Sequence, residues 1–193
     1  MSDETIVVSG PPRSGTSLLM QMLVAAGIEA ISDDRRTKDS DNPRGYFEHE
    51  QVLRLAQDKS VFNGSSGKAI KVIHALLKNI PHEQPIAVLF LTRDLQEVFA
   101  SQSAMLDRLG RPQPTLSQEQ MSDALSRQLA VAREYLRGRP DTSVLDIQHR
   151  KLVTDPDSVS QSIADFLEPM LNRALDTRAM ADCVDQSLYR QRN

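Results

Sequence analysis

The chain has 193 residues, 39% of them hydrophobic and 25% charged, and a net charge of −3. That is the size and composition of one soluble globular domain, 1–193, with no charge excess to suggest nucleic acid or an anionic membrane as partner. The acidic start Met1-Ser2-Asp3-Glu4 does not suit a signal peptide, the apolar run 86–91 is far too short to span a bilayer, and a single cysteine, Cys183, suits a reducing cytoplasm.

Thr5–Ser9 reads as a first strand, and 17–26 as a mostly apolar helix with Gly27 at its C′ position. A short second strand is expected at 28–32. A polar loop follows over 33–42, where Arg35, Arg36 and Lys38 read as solvated, and then the turn Asn42-Pro43-Arg44-Gly45. Tyr46-Phe47-Glu48 leads into a helical stretch with Val52, Leu53, Leu55 and Ala56 inward, and 60–67 is a loop. Strands are expected at 69–73 and 86–91, the second apolar throughout, as a parallel strand buried on both faces should be.

Asp94 and Glu97 have capping-box spacing before a helix with Leu95, Val98, Phe99, Met105, Leu106 and Leu109 inward. Ser117 and Gln120 repeat the spacing before a helix with Met121, Leu125, Leu129, Ala132 and Leu136 inward. A last strand is expected at 143–147. Asp155-Pro156 caps a helix carrying Val159, Ile163, Phe166 and Leu167, and 170–181 reads as a further helix. Strands alternating with helices predict an α/β fold: a single-domain parallel sheet of about five strands flanked by helices, like that of P-loop nucleoside triphosphatases. Ligands of such sheets bind at the carboxyl ends of the strands, which gathers the loops after Ser9, Ile73 and Leu91.

The loop after the first strand, Gly10-Pro11-Pro12-Arg13-Ser14-Gly15-Thr16-Ser17, carries the chemistry. A strand, a glycine-containing turn and a helix start present backbone N–H groups to an anion. Gly10 and Gly15 keep the Walker A spacing, but Thr16 stands where that motif has Lys, and the cation is inside the loop, as Arg13. A second anion site is suggested by Arg93, at the end of the strongest strand, and Ser101, about 12 Å further along the helix axis. Spacing alone leaves that reading level with one in which Arg93 pairs with a neighbouring acid. The four histidines, His49, His74, His82 and His149, lack metal-ligand spacing.

These segments resemble the sulfotransferase family that uses 3′-phosphoadenosine 5′-phosphosulfate, in its small bacterial form. The loop 10–17 is similar to the family's 5′-phosphosulfate loop, and Leu91-Thr92-Arg93-Asp94 with Ser101 to its 3′-phosphate site. Asn42-Pro43-Arg44-Gly45-Tyr46-Phe47-Glu48, 152–156, 163–167 and Leu188-Tyr189-Arg190 are weaker echoes. The resemblance implies a nucleotide site of Pro12, Arg13, Ser14, Gly15, Thr16 and Ser17, with Arg93 and Ser101 on the 3′-phosphate, and adenosine 3′,5′-bisphosphate as product. Arg13 is then also the catalytic cation. The family's closing Arg-Lys-Gly loop is not found; Arg190 or Arg192 stands in for it, or the tail is simply solvated. The aromatic residue usual before the Asp-Pro segment is His149 here.

The expected function is metal-independent transfer of a sulfuryl group to a hydroxyl or amine of a small-molecule acceptor, with no nucleic-acid or membrane partner. Glu48 is the favoured general base and His74 its rival. A kinase with an altered loop, and a catalytically silent binder of adenosine bisphosphate, are the alternatives. Acceptor identity and oligomeric state are not legible in the sequence.

Overall fold

A computed structural model describes residues 4–33 and 45–185. The expectations for Arg35, Arg36, Lys38, Asn42-Pro43-Arg44, Arg190 and Arg192 lie outside them.

Strands β1 (Thr5–Ser9), β2 (Ala30–Ile31), β3 (Ala69–Lys71), β4 (Ile86–Thr92) and β5 (Thr142–Gln148) form one sheet in the order β2-β3-β1-β4-β5. Every pairing is parallel. The helices are α1 (Thr16–Ala25), α2 (Leu95–Arg108), α3 (Gln118–Gly138), α4 (His149–Thr154), α5 (Pro156–Leu171) and α6 (Thr177–Asp182).

The pleat divides β1 between two cores. Ile6 and Val8 join Leu89, Leu91 and the inner faces of α1, α5 and α6. Val7 faces the other way, with Ile70, Val88, Phe90 and Ala132 and Leu136 of α3. Each fully buried aliphatic side chain contributes about 1.5–3 kcal/mol, so burial on both faces holds the central strands firmly.

Local signals explain the element boundaries. The Asp94 side chain accepts from the backbone N–H of Gln96 and Glu97, Ser117 and Gln120 complete a reciprocal capping box, and Asp155 caps α5 with Pro156 in its first turn. The Glu97 carboxylate, however, takes Arg93.

Several boundaries differ from the sequence reading. The second strand has two residues, because Ile28 leaves the sheet edge for the core under α1. The stretch expected as a helix after Glu48 is a 3-10 turn, Glu50–Arg54. Its period of three buries Val52 and Leu55 and leaves Leu53 and Ala56 outside. The expected helix 170–181 is broken at Asn172, which adopts φ 50° and ends α5. Leu109, expected inward, is half exposed just past the end of α2.

Candidate functional site

The sheet order places the carboxyl end of β1 between those of β3 and β4. The loop 10–15 therefore has Lys71 of β3 on one side and Thr92-Arg93, ending β4, on the other.

The loop is built for close approach. A Cβ on Gly10 would lie 2.7 Å from the carbonyl oxygen of Leu91 and 2.8 Å from Ser14 Oγ. Gly15, at φ 93°, caps α1, and a Cβ there would meet His149 Cδ2 at 2.7 Å. Only glycine fits either place. Gly15 brings no side-chain cap to α1, and the first turn of that helix holds no acid. Its leading N–H groups and positive dipole end are thus available to an anion. Ser14 is fully buried, and its hydroxyl has no hydrogen-bond partner among the described residues. Pro12 is exposed, and Thr16 and Ser17 are partly so, at the head of α1.

On the β4 side, Arg13 adopts φ 63° and lays its side chain along α2. Its Nε donates to Ser101 Oγ at 3.0 Å. Arg93 Nη1 donates to the carbonyl oxygen of Arg13 at 2.8 Å, and Arg93 Nε pairs with Glu97 Oε2 at 2.9 Å. The Arg93 and Glu97 side chains are only 8% and 9% exposed. Of the two sequence readings of Arg93, the pairing with a neighbouring acid is observed, and Ser101 lies on the same side of the loop. Arg13 is what joins Arg93 and Ser101.

On the β3 side, Lys71 Nζ donates to Ser17 Oγ at 3.1 Å and to the carbonyl oxygen of Tyr46 at 3.0 Å, and lies 3.3 Å from Glu48 Oε1. Glu48 is therefore at the head of α1. It follows Phe47, whose φ of 51° is costly for a bulky side chain. Hydrogen bonds from the Asp33 N–H and the Ser32 hydroxyl to the Glu48 carbonyl oxygen hold that segment against the end of β2. Sequence reasoning missed Lys71. The available signal was a lone lysine inside an otherwise apolar run, Ala69-Ile70-Lys71-Val72-Ile73.

His74 is placed differently. It is 5% exposed, with Nδ1 3.2 Å from the carbonyl oxygen of Gly10 and Nε2 3.2 Å from Gln128 Oε1 of α3. Both ring nitrogens are engaged. His149, the first residue of α4, lies beneath Gly15; burial first, and then the charge of Arg93, lower its pKa to about 4, with Glu97 opposing. Arg190 lies outside the described residues. Among those residues, no group of three His, Cys, Asp or Glu side chains is arranged to hold a metal ion, and no helix is long and apolar enough to cross a membrane.

The architecture is similar to that of several solved sulfotransferases. It is similar to a sulfotransferase from Alicyclobacillus acidocaldarius at 17% identity, over 92% of this chain and 85% of that one, with a TM-score of 0.50. It is also similar to the sulfotransferase domain from the curacin biosynthetic pathway (12% identity, 96% and 88% covered, TM-score 0.51). Retinol dehydratase in a complex with retinol and PAP is a third (14% identity, 99% and 70% covered, TM-score 0.50). No protein-family model matches the chain, and comparison with curated proteins gives no match. The chain therefore has a sulfotransferase-like fold.

Proposed function

We propose that this protein is a sulfotransferase, transferring a sulfuryl group from 3′-phosphoadenosine 5′-phosphosulfate to a hydroxyl or amine of a small acceptor. One observation carries the reading: a single phosphate loop has separate cationic centres on its two sides, Arg93 with Arg13 and Ser101 on one, Lys71 on the other. Such a frame suits a nucleotide with anionic groups at two positions of the ribose better than a linear triphosphate. The uncapped head of α1 and the close approach allowed by Gly10 and Gly15 fit a phosphate there.

Bound, the nucleotide supplies an activated sulfuryl group on a phosphate leaving group. The chain's residues divide the remaining work. Ser101 and Arg93 hold the 3′-phosphate. The α1 N–H groups, Thr16 and Ser17 hold the 5′ end. Arg13 and Lys71 stabilise negative charge that grows on the leaving side, fixed cations acting where charge develops. Glu48 takes the proton of the acceptor. Lys71 holds its carboxylate at the head of α1, whereas His74 is spent on Gly10 and Gln128. No metal is required for this division. A Mg-dependent phosphoryl transferase would end a strand in an acid, whereas β4 ends in Thr92 followed by Arg93, and Asp94 is spent on capping α2. The cytoplasm is the compartment that the single cysteine suits.

The test is thermal unfolding with added nucleotide. Adenosine 3′,5′-bisphosphate at about 100 times its dissociation constant should add roughly 2.7 kcal/mol, and more than AMP or ADP at equal concentration. A larger shift with ADP and Mg would overturn the reading in favour of a kinase. Tight bisphosphate binding with no transfer to a broad acceptor panel would leave a nucleotide binder.

A further inference from the structure

We propose that Gln128 of α3 is a positioning residue for the phosphate loop: it sets the proton state of His74, and through His74 the position of the Gly10 carbonyl. The inference concerns a residue outside the nucleotide and acceptor contacts named above, and only its binding readout rests on the proposed function.

The argument is one of donors and acceptors. The carbonyl oxygen of Gly10 can only accept, so the 3.2 Å contact requires a proton on His74 Nδ1. In the neutral ring Nε2 is then an acceptor, and its partner must donate. Gln128 lies 3.2 Å from Nε2 and carries both kinds of group on one amide. With its NH2 turned inward it donates to the bare Nε2 of the neutral ring; with its oxygen inward it accepts from the ring's second proton. Amide oxygen and nitrogen are nearly the same size, so both orientations fit the same space. Either way, the Nδ1–H bond to Gly10 survives. A ring held at one end only would be free to turn, or to move its proton to Nε2 and release the loop.

Burial makes this consequential. His74 is 5% exposed, so water is a poor substitute for either partner, whereas Gln128 lies on the exposed side of α3. The imidazole thus forms a strut between α3 and the first residue of the loop. Gly10 is where that strut has effect: the loop there passes within contact distance of Leu91 and Ser14, and a shift of its carbonyl is carried through the stiff Pro11-Pro12 pair to Arg13 and the head of α1.

The test uses the full chain with 15N-labelled histidine. In the natural protein, the His74 ring should show a proton on Nδ1 and hydrogen-bonded Nε2. Gln128→Met keeps the shape and removes the bond. Its melting temperature should stay close to that of the natural protein, because position 128 is exposed. The His74 signals should shift toward the mixed tautomers of a free imidazole, and the dissociation constant for adenosine 3′,5′-bisphosphate should rise about three- to tenfold, as for one lost hydrogen bond. Gln128→Glu should recover binding, with both ring nitrogens protonated. An Nε2–H tautomer in the natural protein, or unchanged His74 signals in Gln128→Met, would overturn the proposal. So would shifted signals with unchanged bisphosphate affinity. If the signals shift as expected but the natural protein binds no bisphosphate, the assignment of the strut stands and the sulfotransferase reading fails.

Discussion

Arg13 and Ser101 are 88 residues apart in the chain and joined by a 3.0 Å hydrogen bond from Nε to Oγ. The bond ties the phosphate loop to the middle of α2 and puts the loop's own cation at the hydroxyl assigned to the 3′-phosphate. Arg93, which donates to the main chain of Arg13, completes the arrangement from the start of the same helix.

Ser101→Ala should therefore weaken adenosine 3′,5′-bisphosphate and leave AMP nearly unchanged. Loss of a hydrogen bond to a charged group costs about 1.5–3 kcal/mol, or roughly 10- to 150-fold in affinity. Calorimetric titration with both nucleotides reads the difference. Equal losses for the two would remove Ser101 from the 3′ side.

Arg93→Ala is expected to be a stability variant before it is a binding variant. It leaves Glu97 buried without its guanidinium, a situation that costs about 3–5 kcal/mol. Urea unfolding should show that loss, and the double change Arg93→Met with Glu97→Leu should recover most of it. A stable single variant would mean that Glu97 finds water or another donor.

For the general base, Glu48→Gln should lower turnover by about 10²–10⁴ while bisphosphate binding persists. His74→Asn should instead weaken bisphosphate binding, since His74 holds Gly10. Steady-state kinetics with any accepted substrate, together with nucleotide titration, separates the two. Near-full turnover in Glu48→Gln with loss in His74→Asn would pass the role to His74.

His149 makes stability depend on pH. Its folded pKa, about 4, lies below the ordinary 6.5, so between those values the unfolded chain takes up a proton that the folded chain refuses. Stability should be full above pH 6.5 and fall as pH drops toward 4, by about 3 kcal/mol over that window. Urea unfolding at pH 7 and pH 4.5 should show the decline in the natural protein and a shallower one in His149→Asn. Parallel declines would assign the effect to other groups.

Much of this protein was determined by sequence alone, because the governing forces are local or periodic. The continuous apolar run of β4 has no stable place except between two layers, so it must be a central strand. Asp94, Ser117 and Asp155 each satisfy N–H groups within three residues of themselves, so the helix starts are written beside them. Gly10 and Gly15, which shape the turn between β1 and α1, are legible for the same reason. What tertiary structure decided are relationships between residues far apart in the chain. Lys71 could be read only as a residue within the strand expected at 69–73 until the sheet order set it beside β1, where it meets Ser17 and Glu48. His74 has the composition of a base, but burial between Gly10 and Gln128 makes it a strut. In sequence His149 stands only where an aromatic residue is usual, and its lowered pKa exists because α4 packs it under Gly15 beside Arg93. Desolvation and charge proximity depend on distance in space, which residue spacing along the chain does not encode.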